Sequence, residues 1–77
     1  MEQKMVDVTL HIDEETTREE REGLRDQLLG LDGVMAANYG DNQPHLMIVE
    51  YNPDKITSHR LVETAEQRGY HAELVGM

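Results

Sequence analysis

The chain has 77 residues, 16 of them acidic and 7 basic, with a formal net charge of −9. That length makes one small domain, 1–77, with no room for a second. The lack of cysteine excludes disulfides and thiol chemistry, the acidic balance argues against nucleic acid, and no apolar run approaches the ~18 residues of a membrane span.

From Met5 to Ile12 the chain alternates, with Val6, Val8, Leu10 and Ile12 facing one way and Met5, Asp7, Thr9 and His11 the other. Period two with β-branched residues predicts a half-buried strand. Asp13-Glu14-Glu15 breaks the pattern, and Thr16 and Thr17 each have a glutamate three residues on, Glu19 and Glu20. That is capping-box spacing and predicts a helix start, with acidic residues suiting the positive end of its dipole. Leu24, Leu28 and Leu31 form a narrow apolar stripe, and Arg18, Arg21, Glu22, Arg25 and Asp26 fall on the other faces. Opposite charges meet at Arg18/Glu22, and at Glu14/Arg18 if the helix starts early enough. Leu31-Asp32-Gly33 closes it, glycine tolerating a left-handed cap.

Val34–Tyr39 reads as a weak second strand, Gly40-Asp41-Asn42-Gln43-Pro44 as a turn, and His45–Tyr51 as a third strand completing a hairpin. Asn52-Pro53-Asp54 ends that strand. Thr57 caps a second helix from Ser58 to Arg68, with Ile56 and Leu61 spaced as a hydrophobic staple. Gly69 stops the helix, and Tyr70–Val75 is a short last strand.

The order β-α-β-β-α-β predicts an α+β, ferredoxin-like sandwich, two helices on one face of a four-stranded antiparallel sheet. Its core should collect Val8, Leu10, Ile12, Leu24, Leu28, Leu31, Met47, Val49, Leu61, Val62, Ala65, Ala72 and Leu74. The N-terminal Met1–Asp7 stretch has no apolar segment of a secretory signal, so the expected location is cytoplasmic.

Several landmarks coincide with one family. Leu28-Leu29-Gly30-Leu31-Asp32-Gly33-Val34, Val49-Glu50-Tyr51-Asn52-Pro53, and Leu61-Val62 through Gly69-Tyr70 together resemble heavy-metal-associated domains. These copper-chaperone-like modules also stand at the N-termini of heavy-metal P-type ATPases and mercuric reductases. The likeness runs from about Val6 to Val75. The family's signature is a Gly-Met-Thr-Cys-x-x-Cys loop between the first strand and helix, and Glu14–Glu20 stands in its place. Only Thr16 agrees. Thr17 and Glu20 occupy the two cysteine positions, Glu15 replaces the methionine, and Arg21 stands where the family usually has an apolar residue.

The resemblance implies metal binding or a link to heavy-metal transport and resistance, with a metal-transport protein as partner. The donors argue otherwise for soft metals. Cu(I) and Hg(II) are held by thiolates, whereas hydroxyl and carboxylate oxygens suit hard cations. Any cation here, a divalent one, falls to Glu15, Thr17 and Glu20, or to a surface cluster of His11, His71 and Glu73 on the open sheet face of the neighbouring first and last strands. No other cofactor is expected. The bland reading of Asp13, Glu14, Glu15, Glu19 and Glu20 is a solvated, dipole-compensating first turn, and that of the histidines is a wet surface without ligands. The alternative function is a thiol-free module that docks a basic-surfaced protein through this acidic helix start. There is no phosphate loop or nucleophile motif, so a non-enzymatic protein is expected. Oligomeric state stays open.

Overall fold

The structure, a computed structural model, describes residues 4–40 and 42–75. Met1–Gln3, Asp41 of the expected turn, and the terminal Gly76 and Met77 lie outside the described residues. Six elements follow in the expected order: β1 (Val6–Ile12), α1 (Arg18–Leu29), β2 (Val34–Gly40), β3 (Gln43–Tyr51), α2 (Ser58–Gln67) and β4 (Ala72–Val75). The sheet order is β2-β3-β1-β4 with every neighbour antiparallel. This is the ferredoxin-like arrangement, both helices lying on one face. No described helix is long and apolar enough to cross a membrane.

Alternation on β1 sorts the two faces. Val8, Leu10 and Ile12 are buried beneath the helices with Met47 and Val49 of β3, Leu24 and Leu28 of α1, and Leu61 and Ala65 of α2. Thr9 and His11 face outward across from Ile48 and Leu46 of β3. Leu31, Val62 and Leu74 are only partly buried at the rim, whereas Ala37, Tyr51 and Ile56 join the core. Ile56 is the residue before the Thr57 cap, and its burial with Leu61 is the staple read from their spacing.

Local chemistry moves some boundaries. Helix α1 begins only at Arg18, because Thr17 is the N-cap. The helical Glu14/Arg18 pair therefore does not form, while Arg18 meets Glu22 at 3.4 Å. The helix ends at Leu29 with Gly30 as C-cap, and Gly33 then takes φ +101°. A Cβ there would lie 2.8 Å from Lys55 Cβ and 2.9 Å from an Ile56 methyl, so only glycine fits this crossing. Strand β3 starts at Gln43, earlier than expected, and contains Pro44. The proline is tolerated because it lies beyond the last β1 pair, His11–Leu46, and beside a register irregularity on the β2 side. Strand β4 starts later, at Ala72. The Tyr70 N–H is still bonded to the Ala65 carbonyl of α2, and the His71 N–H is taken by the Glu14 carboxylate.

Arg21 is the largest departure. The sequence puts it on a polar face, but only 9% of it is exposed. Residues 21, 24 and 28 follow an i, i+3, i+7 spacing, and that single stripe is the buried one.

Candidate functional site

The segment from Asp13 to Arg21 links β1 to α1, and its conformation follows from hydrogen bonds made within it. The Thr17 N–H donates to Glu20 Oε1 (2.8 Å), and the Glu20 N–H donates to Thr17 Oγ1 (3.1 Å). This reciprocal capping box satisfies two backbone donors that the helix start leaves open. It holds the Glu20 carboxyl below its ordinary value of 4.5, the bond from the Thr17 backbone being the largest cause. The Tyr70 hydroxyl approaches the other Glu20 oxygen at 3.5 Å.

Arg21 closes the loop from below. Its Nη1 donates to the Thr16 carbonyl (2.5 Å) and contacts Thr16 Oγ1 (3.3 Å). The guanidinium carbon sits 5.5 Å from the centre of the Tyr39 ring, a cation–π distance. Among the described residues its Nε is buried without a hydrogen-bond partner. A positive charge therefore lies under the segment that links β1 to α1.

A second tie comes from His71, the residue just before β4. His71 donates its backbone N–H to Glu14 Oε1 (2.7 Å), and its ring Nδ1 lies 2.6 Å from Glu14 Oε2. Hydrogen bonding between these side chains lowers the Glu14 carboxyl below 4.5 and raises the His71 imidazole above 6.5.

The expected ligand sets can now be placed. Thr17 and Glu20 are brought together, and they bind each other; Glu15 is exposed beside them. His11 and Glu73 are direct cross-strand partners on the outer face, but the His71 ring turns to Glu14 instead. Among the described residues, no three His, Cys, Asp or Glu side chains converge as a metal site. Asp13, Glu15 and Glu19 remain exposed around the loop. The burial of Arg21 departs from the polar-face expectation; its stripe position and its match to a usually apolar family position were the signals for it. The sequence reading missed His45, whose ring stacks on that of His11 with centroids 5.8 Å apart and planes at 17°.

No family model matches the sequence, and no curated protein matches it significantly. Solved structures do. The N-terminal domain of a potential copper-translocating P-type ATPase from Bacillus subtilis, in its Cu(I)-loaded state, is similar at TM-score 0.86 and 23% identity, over 95% of this chain and 90% of that one. Oxidised MerP from Ralstonia metallidurans gives 0.85 at 15% identity, over 95% and 100%. The yeast copper transporter domain Ccc2a gives 0.81 at 21% identity, over 91% and 94%. At such identities the likeness is one of fold. The chain thus has the fold of the heavy-metal-associated domains, built from a sequence that contains no cysteine.

Proposed function

We propose that this chain is a non-enzymatic, thiol-free docking module of metal-handling machinery, meeting a basic protein surface with the acidic entry into α1. One observation carries the reading. The residues at the two thiol positions, Thr17 and Glu20, are hydrogen-bonded to each other, and the charge of Arg21 lies beneath them. Neither soft-metal transfer nor an open oxygen cage is served by that arrangement. The exposed carboxylates of Asp13, Glu15 and Glu19 point instead to contact with cationic side chains. In the competing reading, Glu15, Thr17 and Glu20 hold a divalent cation. That would require opening the capping box, at about 1 kcal/mol, and placing a second positive charge near Arg21.

Backbone amide shifts separate the two. A lysine-rich peptide is expected to move the amides of Asp13–Glu20, and the response should weaken as salt shortens the screening length below about 10 Å. Charge reversal by Glu15→Lys with Glu19→Lys should abolish it. Salt-insensitive binding, or shifts elsewhere, would refute the docking reading. Saturable shifts at Glu15–Glu20 with Ca²⁺ or Mg²⁺ below about 1 mM would favour the competing one.

A further inference from the structure

We infer that the outer face of the sheet, turned away from α1 and α2, is the docking site for a basic amphipathic helix of another protein. This surface is separate from the acidic entry into α1 and does not depend on it. The register maps the face. Ile48 stands at its centre, 49% exposed, between Thr9 of β1 and Asn38 of β2. Val75 lies beyond Thr9, and Leu46 follows on the same side of β3. A depression of about 460 Å³ opens here, lined by Leu46 and Ile48 with Thr9, Asn38 and Gly40.

Charge on this face has one sign. None of the 7 Lys and Arg residues falls in a described strand, and the strands carry Asp7, Glu50 and Glu73, all on the outer side. Asp7 and Glu50 are direct cross-strand partners, and like charges so placed destabilise a sheet. Among the described residues neither carboxylate has a hydrogen bond or an ion pair. Lys4, which leads into β1, reaches Asp54 instead, at 4.0 Å. An apolar centre with an unrelieved acidic margin matches a partner of the opposite layout, an apolar stripe flanked by Lys or Arg. A second copy does not supply it, since it would set Asp7, Glu50 and Glu73 against themselves in a chain of net charge −9. Nor does an added strand, because β1 and β3 are the inner strands and their backbone groups are already paired. A helix fits: Leu46 to Glu50 spans about 13 Å, or roughly two to three helical turns.

Titration of the full chain with a Leu/Lys peptide of about 14 residues, leucines at i, i+3, i+4 and i+7, tests the site by backbone amide shifts. Saturation below about 1 mM is expected, with the amides of Asp7, Thr9, Leu46, Ile48 and Glu50 moving and the peptide gaining helical ellipticity. Ile48→Thr keeps the β-branch and should weaken binding at least about tenfold. Asp7→Asn should weaken it too, yet raise the urea midpoint of the free chain, because it relieves the pair with Glu50. A merely damaged fold would move both readouts downward. Glu15→Lys with Glu19→Lys, which removes docking at the entry into α1, should leave the sheet-face shifts in place. Shifts confined to Asp13–Glu20, parental affinity in Ile48→Thr, binding without a gain in helix, or self-association through these same amides would each overturn the assignment.

Discussion

Arg21→Met is the substitution that most directly tests how the β1–α1 segment is held. Arg21 is 9% exposed as a residue, and among the described residues its Nε is buried without a hydrogen-bond partner and its side chain forms no ion pair. Desolvating an ion in this way costs several kcal/mol even after relaxation, and the unmade bond at Nε adds about 1–3 kcal/mol. Against this stand the charge-assisted bond to the Thr16 carbonyl, about 1.5–3 kcal/mol, and the contact with Tyr39, about 0.5–2 kcal/mol. Methionine refills most of the volume and adapts to irregular space. Thr16 is only half-buried, so water can replace the lost donor at its carbonyl. The balance is a gain of about 1–2 kcal/mol in folding stability, at about 4–8 °C in Tm per kcal/mol for a domain of this size. Urea unfolding at neutral pH reads it as a higher midpoint with an unchanged slope. Amide exchange should meanwhile quicken at Thr16 and Thr17, since the loop loses its floor. A loss of more than about 1 kcal/mol would refute the reasoning, because it would mean that the Thr16 and Tyr39 contacts outweigh the desolvation.

Two further outcomes follow from the same end of the domain. The Glu14 carboxyl is lowered in the folded state, so its contribution is present above 4.5 and fades as pH falls through the lowered value. The His71 imidazole is raised, so its contribution is full below 6.5 and is lost as pH rises through the raised value. The tie is therefore strongest between those two values, and His71→Ala should flatten the alkaline limb of a plot of urea midpoint against pH; an unchanged limb would count against the pair. Separately, Thr17→Cys with Glu20→Cys puts thiols at the N-cap and three residues on, at a cost of about 1 kcal/mol for the lost cap. Competition with a Cu(I) chelator should show tight binding in this double variant and none in the parent chain. Tight Cu(I) binding by the parent would contradict the thiolate argument.

The fold was legible because its signals are local. Alternation on β1, the glutamates three residues after Thr16 and Thr17, the Ile56–Leu61 staple and the glycines at 33 and 69 each act within a few residues. The capping spacing did leave Thr16 and Thr17 both open, and Glu20 closing back on Thr17 decides between them. What escaped depends on side-chain direction across the chain. A charged residue on an apolar stripe ordinarily turns its head to solvent, whereas Arg21 stays beneath the loop because the Thr16 carbonyl and the Tyr39 ring receive it. The turn of His71 to Glu14 spans 57 residues, beyond any local pattern. The His11–His45 stack requires the β1–β3 register, which fixes His11 opposite Leu46; the hairpin was visible in the sequence, but its alignment with β1 was not.

The contacts around the loop bear on how a partner would meet it. Residues 14, 16, 17 and 20 are each tied by a hydrogen bond, to β4's lead-in at His71, to Arg21, or to one another. Tyr70 adds a contact from the end of α2 to Glu20. The order of this segment is thus supplied by the protein's own donors, one of them a buried cation. Glu15 and Glu19 are exposed, and their side chains have no hydrogen bond or ion pair among the described residues. A surface fixed in this way loses little conformational entropy on association, which leaves more of the charge attraction as binding free energy. By the same logic, Thr17→Ala should weaken docking of a lysine-rich peptide although Thr17 itself brings no charge to the interface. Removing the cap loosens the backbone that presents Glu15 and Glu19. If that variant docks with parental affinity while its urea midpoint falls, preorganisation contributes nothing and the acidic loop acts by net charge alone.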